Sequence, residues 1–145
     1  MVLLKSIFSK VSKLEKLAKE IPNERKILLN EFSSYIKTRL SDSENVQLLF
    51  ICTHNSRRSH MCQIWAQTFA AHFEIDNVNS FSGGTEVTAF NQRAVKAVQQ
   101  YGFDVKKLND SENPIYSIYH SENKNPIKCF SKIYSHHDNP QKNFA

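Results

Sequence analysis

Leu48-Leu49-Phe50-Ile51-Cys52-Thr53-His54-Asn55-Ser56-Arg57-Arg58-Ser59 is the stretch on which the reading of this chain turns. An apolar run of buried-strand type, beginning at Val46, ends at a cysteine, and an arginine follows six residues later. Beyond it Met61, Ile64, Trp65, Thr68, Phe69 and Phe73 keep helical spacing, which predicts a helix from Ser59 to about Phe73. Strand, short loop and helix in this order aim the loop's N–H groups and the helix's positive end at one point, a site for a tetrahedral oxyanion. Helix dipoles and cations favour thiolate, so Cys52 is expected to ionise easily. Arg58 adds a planar fork that grips two anion oxygens at once. A nucleophile and an oxyanion clamp in one loop point to phosphoryl or arsenate chemistry.

Outward from the loop, the pattern predicts alternating strands and helices. Val78 to Phe81 reads as a second strand, stopped by Gly83-Gly84. Asn91 caps a further helix in which Ala94, Val95, Ala97, Val98 and Tyr101 face inward, and Gly102 ends it. Strands separated by helices imply right-handed βαβ crossovers and a parallel sheet. Residues 114–120 and 126–132 are β-prone and joined by Ser-Glu-Asn-Lys-Asn, a hairpin signal; residues 135–142 read as polar loop. Upstream, Ile7, Val11, Leu14, Ala18 and Ile21 form one helical stripe, broken by Pro22-Asn23. A second stripe, Leu28, Phe32, Tyr35, Ile36 and Leu40, predicts a helix from about Glu24 to Leu40. Residues 1–45 are therefore expected to form a helical hairpin added to an α/β domain over 46–145, packing on that domain or on a partner chain.

Composition bounds the rest. A chain of 145 residues, 40% hydrophobic and 23% charged, suits one soluble domain with a real core. No segment is long and apolar enough to span a membrane, and no cleavable leader is recognisable, so a cytoplasmic location is expected. The net charge of +5 suits anionic substrates; the lysines are scattered and form no nucleic-acid motif. Cys52, Cys62 and Cys129 lack zinc spacing and read as reduced thiols, Cys62 buried on a helix face and Cys129 in a strand. His136 and His137 are adjacent, so their side chains are expected to point apart without a defined third ligand; no metal site is read there.

The loop, followed by Ser82-Gly83-Gly84-Thr85 and Asn91-Gln92-Arg93-Ala94-Val95, resembles the low-molecular-weight protein tyrosine phosphatases and the related thioredoxin-coupled arsenate reductases over roughly residues 46–105. The resemblance implies a doubly wound parallel sheet of phosphotyrosine phosphatase I type. Cys52 would be the nucleophile, forming a thiophosphate or an arsenate adduct. Arg58 would stabilise the transition state and Ser59 would hydrogen-bond the Cys52 thiolate. Thr53, His54, Asn55, Ser56 and Arg57 would line the oxyanion site with their backbone. Asn55 would hold the loop in shape, in a left-handed conformation that Asn tolerates, and Ser82 would support Asn55.

Three departures accompany the resemblance. His54 stands where the family usually has glycine. Arg57 replaces a cysteine that shields the nucleophile in many of these phosphatases, and adds positive charge to the loop. The chain ends at Ala145, where the family continues with a strand and an acid-bearing loop, so a truncated, incomplete sheet is expected. Neither the proton-donating aspartate of the phosphatases nor the downstream cysteines of the reductases has a match; Asp138 reads as a polar loop residue rather than a substitute acid. The leading expectation is a phosphatase for phosphotyrosine or a small phosphate ester. Arsenate reduction through the same loop, with a separate thiol relay, is the alternative enzyme, and a non-catalytic oxyanion-binding fragment is the third reading. None requires a metal or an organic cofactor, because loop amides and Arg58 supply the charge. An open sheet edge makes self-association plausible.

Overall fold

The structure, a computed structural model, describes residues 2–145. Helix α1 (Lys5–Leu17) runs into a short 3-10 turn (Ala18–Glu20) and is followed by α2 (Asn23–Ser41). Then come β1 (Val46–Cys52), α3 (Arg58–His72), β2 (Val78–Gly84) and α4 (Gln92–Tyr101). Three short strands, β3 (Asp104–Lys107), β4 (Tyr116–Tyr119) and β5 (Ile127–Cys129), complete the order. Among the described residues no helix is long and apolar enough to cross a membrane.

The α/β class and the parallel pairing stand as expected. β1 and β2 run parallel in a register from Val46 opposite Val78 to Cys52 opposite Gly84. β3, β4 and β5 form a separate antiparallel sheet, whose β4–β5 pair is the expected hairpin. β3 is an addition: Asp104-Val-Lys-Lys107 has one apolar residue, and its strand character comes from pairing along β4. Ala145 also meets the free side of β1, its N–H donating to the Gln47 carbonyl (3.0 Å) and its carbonyl accepting from Leu49 (2.7 Å).

β2 continues through the two glycines rather than stopping before them. Gly84 pairs with Cys52 on one side and bridges Ile133 on the other, donating to Lys132 O (2.9 Å) and accepting from Tyr134 (2.8 Å). A Cβ there would lie 2.6 Å from Thr53 O and 2.8 Å from Asn55 N, so glycine serves close approach of the loop, not termination. At the start of α4, Asn91 caps the Arg93 N–H (3.0 Å), and at its end Gly102 takes φ +116°.

The core divides in two. Ile64 of α3, Phe90, Val95 and Val98 around α4, and Ile118 and Cys129 of the antiparallel sheet pack with Ile7 and Val11 of α1. Trp65 and Phe69 lie partly buried against this cluster, Trp65 edge-on to Tyr101 and Phe103. Val46, Leu48, Val78 and Ala70 form the smaller cluster, covered by Tyr35, Ile36 and Leu40 of α2. The two N-terminal helices thus serve different clusters, and their stripes are shorter than the spacing suggests. Only Ile7 and Val11 of α1 are buried; α2 buries no residue fully, and Leu28 and Phe32 stay exposed because its later turns alone reach β1.

Candidate active site

Residues 53–57 link the end of β1 to α3 and wrap around the Cys52 sulfur. Ser59 Oγ lies 3.0 Å from Cys52 Sγ, and Asn55 Nδ2 donates to the same hydroxyl at 2.8 Å. That donation leaves the Ser59 proton free to point at the sulfur. Partial burial alone would push the Cys52 thiol up. The Ser59 hydroxyl and the N–H groups of Ser59, Ser56 and Asn55 outweigh it, and the thiol sits below its ordinary value.

Asn55 is completely buried with φ +45°, the left-handed conformation expected of it. Its Oδ1 accepts the Lys132 N–H at 3.0 Å. Carbonyls elsewhere in the loop turn outward onto the chain after β2: Cys52 O accepts from Thr85 N–H (3.2 Å), Thr53 O from Glu86 N–H (2.8 Å), and Ser56 O from Asn91 N–H (2.9 Å). Ser56 Oγ donates to Ala89 O at 2.7 Å.

Cys52, His54, Ser56, Arg57, Arg58 and Thr88 line an open cavity of about 520 Å³. Both arginines are exposed, and among the described residues neither forms an ion pair. Two guanidinium groups at the N-terminus of α3 therefore stand ready for an anion beside the sulfur. His54 meets Glu86 at 3.1 Å on the rim.

Ser82 does not reach Asn55. Its hydroxyl donates to Gln63 Oε1 (2.6 Å) and meets His60 Nδ1 (3.1 Å), two polar residues of α3. Nothing singled out His60 and Gln63 in the sequence. Yet Ser59, His60, Gln63, Ile64, Thr68 and Ala71 fall on the buried side of α3, and that mixture of polar and apolar inward positions was the available signal. His60 packs its ring 4.2 Å from Phe90. Burial, and then the Lys132 charge, hold it neutral, with a pKa lowered to about 3 against an opposing pull from the Asn55 carbonyl.

The other candidates fall elsewhere. Cys62 is exposed rather than buried, because its position faces away from the core side of α3. Nearby protein atoms still desolvate its thiol in part, and this, with the Cys52 charge, raises it. Cys129 is fully buried, and burial pushes its thiol up to about 12. His136 and His137 stack at 4.2 Å instead of pointing apart, and with Asp138 their ligand atoms lie within 4.8 Å of one another. Asp138 is engaged by Lys128 (2.7 Å) and His137 (3.1 Å). The Lys128 hydrogen bond holds its carboxyl below the ordinary range. It lines a separate cavity of about 540 Å³, between β2 and β5, that contains no cysteine.

Comparison with curated proteins finds partial sequence similarity to arsenate reductases. The chain is 38% identical over 58 residues to an arsenate reductase of Staphylococcus aureus (strain Newman), a match covering 40% of the chain and 41% of that protein. It is 37% identical over 62 residues to an arsenate reductase of Bacillus subtilis (strain 168), covering 43% and 42%. A Bacillus cereus (strain AH187) arsenate reductase is 34% identical over 58 residues, covering 40% of each. The chain thus spans about two fifths of the length of the curated relatives it matches. No family model and no solved structure matches it.

Proposed function

We propose that this chain carries the oxyanion-binding and nucleophilic half of an arsenate reductase. The single observation that carries this reading is the thiol of Cys52, lowered by the Ser59 hydroxyl and the N–H groups of Asn55, Ser56 and Ser59, in a cavity also lined by two arginines that form no ion pair among the described residues. Similarity to arsenate reductases supports the choice of arsenic over phosphorus. The lining supports it as well: among the described residues, no Phe, Tyr or Trp walls that cavity for a phosphotyrosine, and the carboxylate on its rim, Glu86, is engaged by His54.

In the proposed reaction the Cys52 thiolate attacks arsenic, an S–As bond forms, and hydroxide departs as water after protonation. Arg58 and the loop N–H groups hold the remaining oxygens. A second thiol, supplied by a small thiol or a dithiol protein, then attacks Cys52 Sγ. The S–As electron pair passes to arsenic, giving arsenite, and Cys52 is left in a disulfide with the attacking thiol.

Arsenite formation from arsenate and dithiothreitol tests the proposal. Turnover that disappears in Cys52→Ser and falls by about 10²–10³ in Arg58→Ala is expected, the usual cost of removing one oxyanion donor. Hydrolysis of p-nitrophenyl phosphate by a chain that forms no arsenite would give the site to a phosphatase instead.

A further inference from the structure

We infer that Ser131, carried on the segment that leaves the β4–β5 hairpin, is the positioning residue that keeps the oxyanion loop in its anion-binding form. The inference rests on the proposed use of the loop. Ser131 is 1% exposed and lies 77 residues from the loop residue it touches. Its hydroxyl donates to the His54 carbonyl at 2.7 Å and accepts the Thr88 N–H at 2.9 Å. Thr88 Oγ1 also donates to that carbonyl, at 3.2 Å. Both lone pairs of the His54 oxygen are thereby occupied from outside the loop.

The consequence follows from peptide geometry. No described peptide bond is cis, and in a trans peptide the C=O and the following N–H point to opposite sides. A His54 carbonyl pinned outward leaves the Asn55 N–H facing inward, where it is one of the three amides that lower the Cys52 thiol. Asn55 pays for this with positive φ, a conformation that persists when its surroundings over-determine it. The same segment supplies the second restraint, the Lys132 N–H on Asn55 Oδ1.

Ser131 is itself fixed from both sides. Its N–H donates to Asn113 Oδ1 (3.1 Å) and its carbonyl accepts from Asn113 Nδ2 (2.7 Å). The hairpin between Asn113 and Ser131 therefore ends in a brace seated on the loop, and the line of action runs Ser131, His54 carbonyl, Asn55 N–H, Cys52 sulfur.

The test uses the full chain with Ser131→Ala and, separately, Thr88→Val. Two quantities are read: the pH profile of Cys52 alkylation and the affinity for inorganic phosphate and arsenate by calorimetry. Ser131→Ala is expected to move the alkylation profile to higher pH and to weaken both anions about three- to tenfold, the scale of one hydrogen bond. Thr88→Val is expected to shift both in the same direction by less, and Ser131→Thr, which keeps the hydroxyl, to restore the wild-type profile. A thermal melt identifies the folded range, and the profile is taken inside it, so lost stability alone leaves the readout unmoved. An unchanged profile and affinity in folded Ser131→Ala overturns the brace while leaving the proposed function intact. A wild-type chain without low-pH alkylation or anion binding overturns the proposed function instead.

Discussion

At the scale of single residues, three thiols in one small chain have three different environments. Burial is the largest single influence on each thiol and favours the protonated form, but only at Cys52 do a hydroxyl and three amides on the sulfur together outweigh it. Brief iodoacetamide treatment at mildly acidic pH should therefore label Cys52 first, since the thiolate is the reactive species. Peptide mapping that found Cys62 or Cys129 ahead would overturn the assignment of the nucleophile. His60 gives a second residue-scale prediction, of opposite character. Its native pKa is about 3 against an ordinary 6.5, so above pH 6.5 neither folded nor unfolded chain binds the proton. Below that the unfolded chain takes up a proton the native state refuses, and stability falls as pH drops from 6.5 toward 3. Between pH 7 and pH 5 this amounts to about 2 kcal/mol. His60→Asn should lose less stability than wild type over that interval in urea titrations; an equal loss would refute the account.

At the scale of elements, two glycines at the ends of neighbouring segments do different work. Gly102 ends α4 at φ +116°, and a Cβ there would meet Ser6 O at 2.7 Å. Gly102→Ala should cost at least about 1–2 kcal/mol of stability through the left-handed backbone alone, with little change in Cys52 reactivity. Gly84→Ala places its methyl against Thr53 O and Asn55 N, so it should abolish phosphate binding as well as lower the melting temperature. A Gly84→Ala protein that binds phosphate like wild type would show that the loop tolerates displacement. The first glycine was legible in the sequence because capping is local: Asn91 and Gly102 bracket an amphipathic run. The second was misread as a stop, because its neighbours, Lys132 and Ile133, come from about fifty residues away and leave no periodic trace. β3 escaped for a related reason, since its partner rather than its composition makes it a strand.

At the scale of the whole molecule, what the sequence disclosed was the strand–loop–helix unit and the order of elements around it. What it hid was the set of long-range polar ties: Ser131 to His54, Lys132 to Asn55, and Ser82 to His60 and Gln63. Such ties depend on which loops the fold brings together, and polar loop residues carry no spacing that announces a partner. The apolar stripes disclosed α1 and α2 but not how much of each is covered. Ile27, Leu28 and Leu29 in the first half of α2 remain 61%, 55% and 37% exposed, while Tyr35, Ile36 and Leu40 near its end are fastened to the β1 cluster. That uneven fastening divides the helix kinetically: its early turns should open and close independently of global unfolding. Thermolysin, which cuts beside exposed aliphatic residues, should therefore nick the chain near Ile27–Leu29 under native conditions, well before any cut in α3. The nicked protein should keep its phosphate affinity, because it is the later turns of α2, Tyr35, Ile36 and Leu40, that pack on the β1 cluster. Digestion that destroys the loop as fast as it clips α2 would mean instead that the molecule opens as one unit.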